Sequence, residues 1–326
     1  MEYSMTAEFA PQRAAWMLWP LGNNVLCVNE IPLQKIFARV AMAISMATPT
    51  FVVVPKNQVD RASFIIPKHI NLVTVDEYNY GLMNNFPFIL KNAQKGGVKA
   101  LCGKNTDAFS YEIVEHHKIL KENIGINLDP LAFTVDGKGT CIVTEEYFKS
   151  QNLELSRDDI SLFICKNLGV TKIIWLKQGM YGDRFKGYID NLCVFIRERE
   201  VILHWCEDEN DPQYKISNDA LIVLQNTTDA LGRKLIVHKL LTPKIFNINN
   251  GESINHNINL NLYASYVGFI ISNERVVMPL LDPNKDNMTI SFMQRLFPDK
   301  DVIGVDAKEF IEIGLNLRRL AVQIPK

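Results

Sequence analysis

Arg157-Asp158-Asp159-Ile160-Ser161-Leu162-Phe163-Ile164-Cys165-Lys166-Asn167-Leu168, followed after Gly169-Val170-Thr171 by Lys172-Ile173-Ile174-Trp175-Leu176, sets the pattern of the whole chain. The first stretch spaces its apolar residues for one face of a helix, with Ser156 placed to cap its start. The second is a short β-branched and aromatic run that reads as a strand. The same alternation extends outward in both directions. Strands are predicted at Thr50-Phe51-Val52-Val53-Val54, Ile70-Asn71-Leu72-Val73-Thr74-Val75, Val194-Phe195-Ile196 and Val201-Ile202-Leu203-His204-Trp205. Helices are predicted over Leu33 to Met46, Ala108 to Leu120 and Ile290 to Leu296. Interleaving of this kind argues α/β or α+β layering, and by itself does not separate a doubly wound sheet from a ring of small α/β units.

The chain has 326 residues, 47% hydrophobic and 22% charged, enough to bury a full core. No polar or Gly/Ser-rich linker divides it, so a single domain over residues 1–326 is expected. The 35 basic and 36 acidic residues are well mixed, which gives no field favouring nucleic acid or an anionic membrane. The N-terminus lacks a basic stretch followed by an apolar one, and the apolar runs are too short to span a bilayer, so a cytoplasmic protein is expected. Cys27, Cys102, Cys141, Cys165, Cys193 and Cys206 are far apart and lack zinc spacing, and read as reduced thiols. Neither GxGxxG nor GxxxxGK[ST] occurs, and no cofactor or metal is expected. The acidic run Glu207 to Asp211 lacks the spacing and the bend glycine of a calcium loop and reads as a solvated loop.

Several segments in series carry a resemblance: Ala7-Glu8-Phe9-Ala10-Pro11, Ala15-Trp16-Met17-Leu18-Trp19-Pro20, Val135-Asp136-Gly137-Lys138-Gly139-Thr140, Gly182-Asp183 to Asp190-Asn191, and Glu207-Asp208-Glu209-Asn210-Asp211-Pro212-Gln213-Tyr214. Ala264-Ser265-Tyr266-Val267, Val277-Met278-Pro279-Leu280 and Phe297-Pro298-Asp299 continue it. Together they resemble the agmatine deiminases of the peptidylarginine-deiminase-like family, members of the guanidino-group-modifying pentein superfamily. The resemblance implies five ββαβ-type units around a pseudo-fivefold axis, with the active site in the central channel, and oligomers, often dimers.

That family's chemistry needs a Cys thiolate to attack the guanidinium carbon, a His to move protons and carboxylates to hold the cation. Matched stretch by stretch, the resemblance puts Arg319 at the Cys position, Tyr188 at the His position and Lys186 at the carboxylate two residues before it. Asn84 falls at a second binding carboxylate and Asp129 at a shortened acid. A guanidinium is no nucleophile, and a phenol is a poor proton shuttle at neutral pH. These positions therefore lead to the expectation of a non-catalytic relative acting through protein contacts, as a homo-oligomer or with a partner such as an active family member. Lys186, Tyr188, Asp190, Arg318, Arg319, Asp129 and Asn84 would line its pocket, with charge reversed so that agmatine is repelled. Two alternatives stand beside it. One is a divergent agmatine deiminase or guanidino hydrolase, converting agmatine to N-carbamoylputrescine and ammonia for putrescine synthesis. The other is a sensor of an anionic small molecule.

Overall fold

The computed structural model describes residues 2–21, 30–76, 86–103, 108–151, 155–183, 185–243, 264–308, 310 and 314–326. Asn84, Arg184 and Cys27 lie outside them. The first strands and helices in chain order are β1 (Ser4–Met5), β2 (Gln12–Leu18), α1 (Glu30–Ser45), β3 (Thr50–Pro55), α2 (Val59–Ile65) and β4 (Asn71–Val75). A second group follows as β5 (Phe88–Lys91), β6 (Val98–Cys102), α3 (Ala108–His117) and β7 (Leu120–Asn123). The third is β8 (Thr134–Val135), β9 (Thr140–Thr144), α4 (Glu145–Ser150), α5 (Arg157–Leu168) and β10 (Lys172–Leu176). The fourth is β11 (Cys193–Arg197), β12 (Glu200–Trp205), α6 (Pro212–Gln225) and β13 (Ile236–Leu241). The fifth is β14 (Ile270–Ile271), β15 (Arg275–Leu280), α7 (Asp286–Leu296) and β16 (Asp301–Asp306), after which β17 (Ala321–Pro325) closes the chain.

Each group makes one small sheet with the same grammar, except that β1 joins the sheet of the second group by pairing antiparallel with β5. An antiparallel pair comes first, as in β5–β6, β8–β9, β11–β12 and β14–β15. A helix then crosses over to a strand parallel to the second, as in β6–β7, β9–β10, β12–β13 and β15–β16. The crossover is what a parallel neighbour requires, because a tight turn cannot return a strand in the same direction. The remaining sheet is completed from the far end of the sequence: β17 supplies the antiparallel partner of β2, which runs parallel to β3.

The core shows why five such units close on themselves. Successive residues of a strand face opposite sides, and here each side meets a different neighbouring unit. On β2, Trp16 and Leu18 pack with Ala100 and Phe109 of the second unit, whereas Ala15 and Met17 pack with Ile270, Val277 and Val305 of the fifth. Leu101 packs onward to Cys141 and Val143, Ile142 to Cys193 and Leu203, and Val194 and Ile202 to Val276 and Met278. Five apolar clusters thus link the units in a cycle. The strands that supply them are nearly continuous apolar runs, as expected where both faces are buried. The five-unit ring has the architecture that the resemblance implied.

Local chemistry sets the element ends. Ser156 caps α5 through a reciprocal capping box with Asp159, and Gly169 ends it in the left-handed conformation. The acidic run before α6 ends in Asp211, whose side chain accepts from the Gln213 amide as the helix cap. Among the described residues no helix is long and apolar enough to cross a membrane.

Candidate functional site

Three loop segments come together: the short turn Pro130–Ala132 with Asp129 before it, Asp183 and the stretch from Phe185 to Asn191 leading into β11, and the single-turn helix Leu317–Leu320 before β17. Asn316 caps that last turn, its side-chain oxygen accepting from the Arg319 amide at 3.2 Å. The Asn316 amide nitrogen in turn donates to Asp190 Oδ2 at 2.9 Å and to Asn191 Oδ1 at 2.8 Å. One asparagine therefore ties the turn carrying Arg319 to the acidic loop in front of it.

Arg319 is 2% exposed, and its Nη2 stands 2.9 Å from Asp190 Oδ2, itself wholly buried. The guanidinium carbon lies over two rings, 4.3 Å from the Tyr188 centroid and 4.4 Å from that of Phe185. Tyr188 donates its hydroxyl to Asp129 Oδ2 at 3.1 Å, and Asp129 Oδ1 accepts from the Leu131 amide at 2.9 Å. Asp183 accepts from Asn191 Nδ2 at 3.1 Å and from the Phe185 amide at 2.9 Å. Burial opposes the charge of Arg319, yet Asp190, Asp129 and Asp183 together hold its pKa above the ordinary value. The result is a buried cation caged by its pairing with Asp190 and by two aromatic rings, with Asp129 and Asp183 adding to the negative field.

The cage perturbs its own acids. Burial pushes the Asp183 carboxyl up to about 7, with Asp190 as the next cause. Asp129 is likewise raised by burial, against the pull of Arg319. The Tyr188 phenol is raised by burial and then by Asp129, so it remains a neutral hydrogen-bond donor at physiological pH. Gly187 makes the approach of this loop feasible. Its φ of +83° is left-handed, and an added Cβ would stand 2.2 Å from the Tyr147 nitrogen, so only glycine lets Tyr188 reach the cage here.

Of the residues singled out in the sequence, Arg319, Tyr188, Asp190 and Asp129 meet. Lys186 and Arg318 do not join them. Lys186 is exposed, turned away from the cage on the far side of Gly187. Arg318 is 3% exposed and forks onto Glu8, with Nε 2.9 Å from both carboxylate oxygens and Nη2 bonded to Oε1. Sequence reasoning missed Asp183, Phe185 and this role of Glu8, although the first two stand within six residues of Tyr188 in the quoted segment. The expected reversal of charge is therefore absent. Both described arginines of this turn are matched by carboxylate.

Cys141 and Cys193 are fully buried, and burial raises both thiols, that of Cys193 to about 12. Neither is a thiolate at neutral pH. His204, also buried, shares a 3.0 Å hydrogen bond through Nδ1 with Ser265 Oγ and belongs to the packing between the fourth and fifth units.

Comparison with known proteins decides the family. The Porphyromonas-type peptidyl-arginine deiminases match residues 4–325. The chain belongs to that family. A relative from Shewanella frigidimarina (strain NCIMB 400) carrying an agmatine deiminase name is 35% identical over 99% of this chain and 94% of its own length. The solved agmatine deiminase of Enterococcus faecalis superposes with a TM-score of 0.90 at 28% identity, covering 100% of this chain and 96% of that one. DDAH from Pseudomonas aeruginosa, at 12% identity and a TM-score of 0.52 over 96% of this chain and 100% of that one, shares the fold alone. The fold is the pentein fold.

These relatives overturn one expectation. The relatives matched over the whole length carry agmatine deiminase names, and the reading of a non-catalytic protein acting through protein contacts is set aside in favour of the deiminase alternative.

Proposed function

We propose that this protein is a guanidino-group hydrolase of the agmatine deiminase type, working in the cytoplasm and converting agmatine or a close guanidino compound to the ureido product and ammonia. The observation that carries this reading is the cage itself: a guanidinium paired with Asp190 lies over Phe185 and Tyr188, in the field of Asp129 and Asp183. Carboxylates supply charge-assisted hydrogen bonds to the N–H groups, and the rings cover the flat face of the cation. The whole-length likeness to agmatine deiminases supports the substrate class. The described cysteines, all free, support a reducing compartment.

The residues suggest a route in which water is the attacking group. Asp190 and Asp129 hold the guanidinium and keep its carbon electrophilic. Asp183, poised near neutrality, takes a proton from water as its oxygen bonds to that carbon. The same proton returns to the departing nitrogen, the C–N bond breaks and ammonia leaves; the hydroxyl proton remaining on the new oxygen passes to that ammonia, so that the carbonyl forms and nitrogen departs as ammonium. Tyr188, held neutral, keeps Asp129 oriented through its hydroxyl. The test is ammonia release from agmatine, arginine and a peptidyl arginine, with the ureido product identified by mass. Agmatine turnover that falls at least about a hundredfold in Asp183→Asn is expected from loss of a general base. Turnover of none of the three substrates would remove the reading.

A further inference from the structure

We propose that Arg319 is a tethered stand-in for the substrate, an internal guanidinium that a free guanidino ligand must displace. The inference rests on the hydrolase reading for the identity of the ligand and deepens it by saying what controls entry. Its basis is an imbalance in the cage. Nε and Nη2 of Arg319 are buried without a hydrogen-bond partner among the described residues, and Asp190 Oδ1 is buried without one as well. Nη2 is close enough to Asp190 to pair as a charge, but its direction is wrong for a hydrogen bond. Unsatisfied donors and an unsatisfied acceptor thus lie side by side. Each is a costly arrangement in a buried site.

The tether explains the misfit. Arg319 enters from a turn whose backbone is fixed by Asn316, which also grips Asp190 and Asn191. Its guanidinium therefore reaches the rings and the charge but not the fork geometry that pairs two N–H groups with two carboxylate oxygens. A free guanidinium has no such constraint and can align with both oxygens of Asp190 while keeping the faces of Tyr188 and Phe185. The charge it brings is the charge it displaces, so the cage remains neutralised. Arg318, one residue earlier, shows the contrast, since its Nε and Nη2 are both hydrogen-bonded to Glu8 and Nη1 alone is buried without a partner among the described residues.

Isothermal titration of the full chain with agmatine, and with putrescine as the equivalent diamine lacking a guanidine, tests this on wild type, Arg319→Gln and Arg319→Ala. Both variants are expected to bind agmatine at least tenfold more tightly than wild type, with putrescine binding unchanged. Arg319→Gln keeps most of the side-chain volume and serves where the alanine variant does not fold. Equal agmatine affinity in wild type and the folded variants would overturn the proposal, as would equal gains for putrescine. Tight binding by the variants without any product from wild type or variant leaves displacement standing and sinks the hydrolase reading instead. Product formation with equal affinities does the reverse.

Discussion

Arg318 and Arg319 are neighbours in one turn, both buried, and they do different work. Arg318 forks onto Glu8 through Nε and Nη2, leaving only Nη1 without a partner among the described residues, and ties the last turn of the ring to its first segment. Arg319 pairs with Asp190 over two rings, in the field of Asp129 and Asp183, yet Nε and Nη2 both lack a hydrogen bond among the described residues. The first arrangement is a closed structural pair. The second is a site built for a guanidinium and filled by one that fits imperfectly. Burial and charge alone do not distinguish the two; the hydrogen-bonded fork onto the nearest carboxylate, present for Arg318 and missing for Arg319, does.

The comparison breaks most readily at Arg319. Arg319→Ala leaves a cluster of buried carboxylates without their cation and should lower unfolding stability by about 3–5 kcal/mol in urea at neutral pH, with saturating agmatine restoring part of the loss. Arg318→Met should cost about 2 kcal/mol, because Glu8 is a quarter exposed and recovers some hydration, and agmatine should restore none of it. If agmatine rescues both variants or neither, the distinction between the two arginines fails.

Asp183 gives a finer test through pH. Its carboxyl titrates near 7 in the folded protein against an ordinary value of 3.8, so the folded state binds the proton more tightly than the unfolded chain. Its contribution to stability is therefore fullest below about pH 4 and is lost as pH rises to about 7. Wild type should show this decline in denaturant midpoints, by at most about 1.4 kcal/mol per pH unit, and Asp183→Asn should flatten it. An unchanged slope in the variant would place the titration elsewhere. The smallest effect belongs to Lys186: Lys186→Ala should change stability by less than about 0.5 kcal/mol and leave agmatine turnover as it was, since the side chain is exposed outside the cage.

Much of this molecule was legible in its sequence. The alternation of strand and helix runs, read with the family segments, gave the five-unit ring, and α5 and β10 fall at the residues expected. Other boundaries moved by a turn: α7 begins at Asp286, four residues before Ile290, and α3 stops at His117, so that Leu120 opens a strand instead of ending a helix. The convergence of Asp129, Tyr188, Asp190 and Arg319 was legible too, because the resemblance had gathered all four into one expected pocket. Side-chain direction within a loop was not. Lys186 and Tyr188 are two residues apart around Gly187, and only the left-handed glycine, packed against the backbone of Tyr147, decides that one turns out and the other in. A lysine read as reversing the site's charge thus stands in solvent, while Asp183, three residues earlier, supplies the carboxylate. The pairing of Glu8 with Arg318 spans nearly the whole chain and carries no local signal.

The most direct test of the account is to incubate agmatine with the full chain in ¹⁸O-labelled water and follow ammonia and the ureido product together. The account predicts one labelled oxygen in the product for each ammonia released, with both abolished in Asp190→Asn, where the cage loses the carboxylate closest to the guanidinium. Agmatine recovered unchanged and unlabelled from wild type and from Arg319→Gln alike would contradict it.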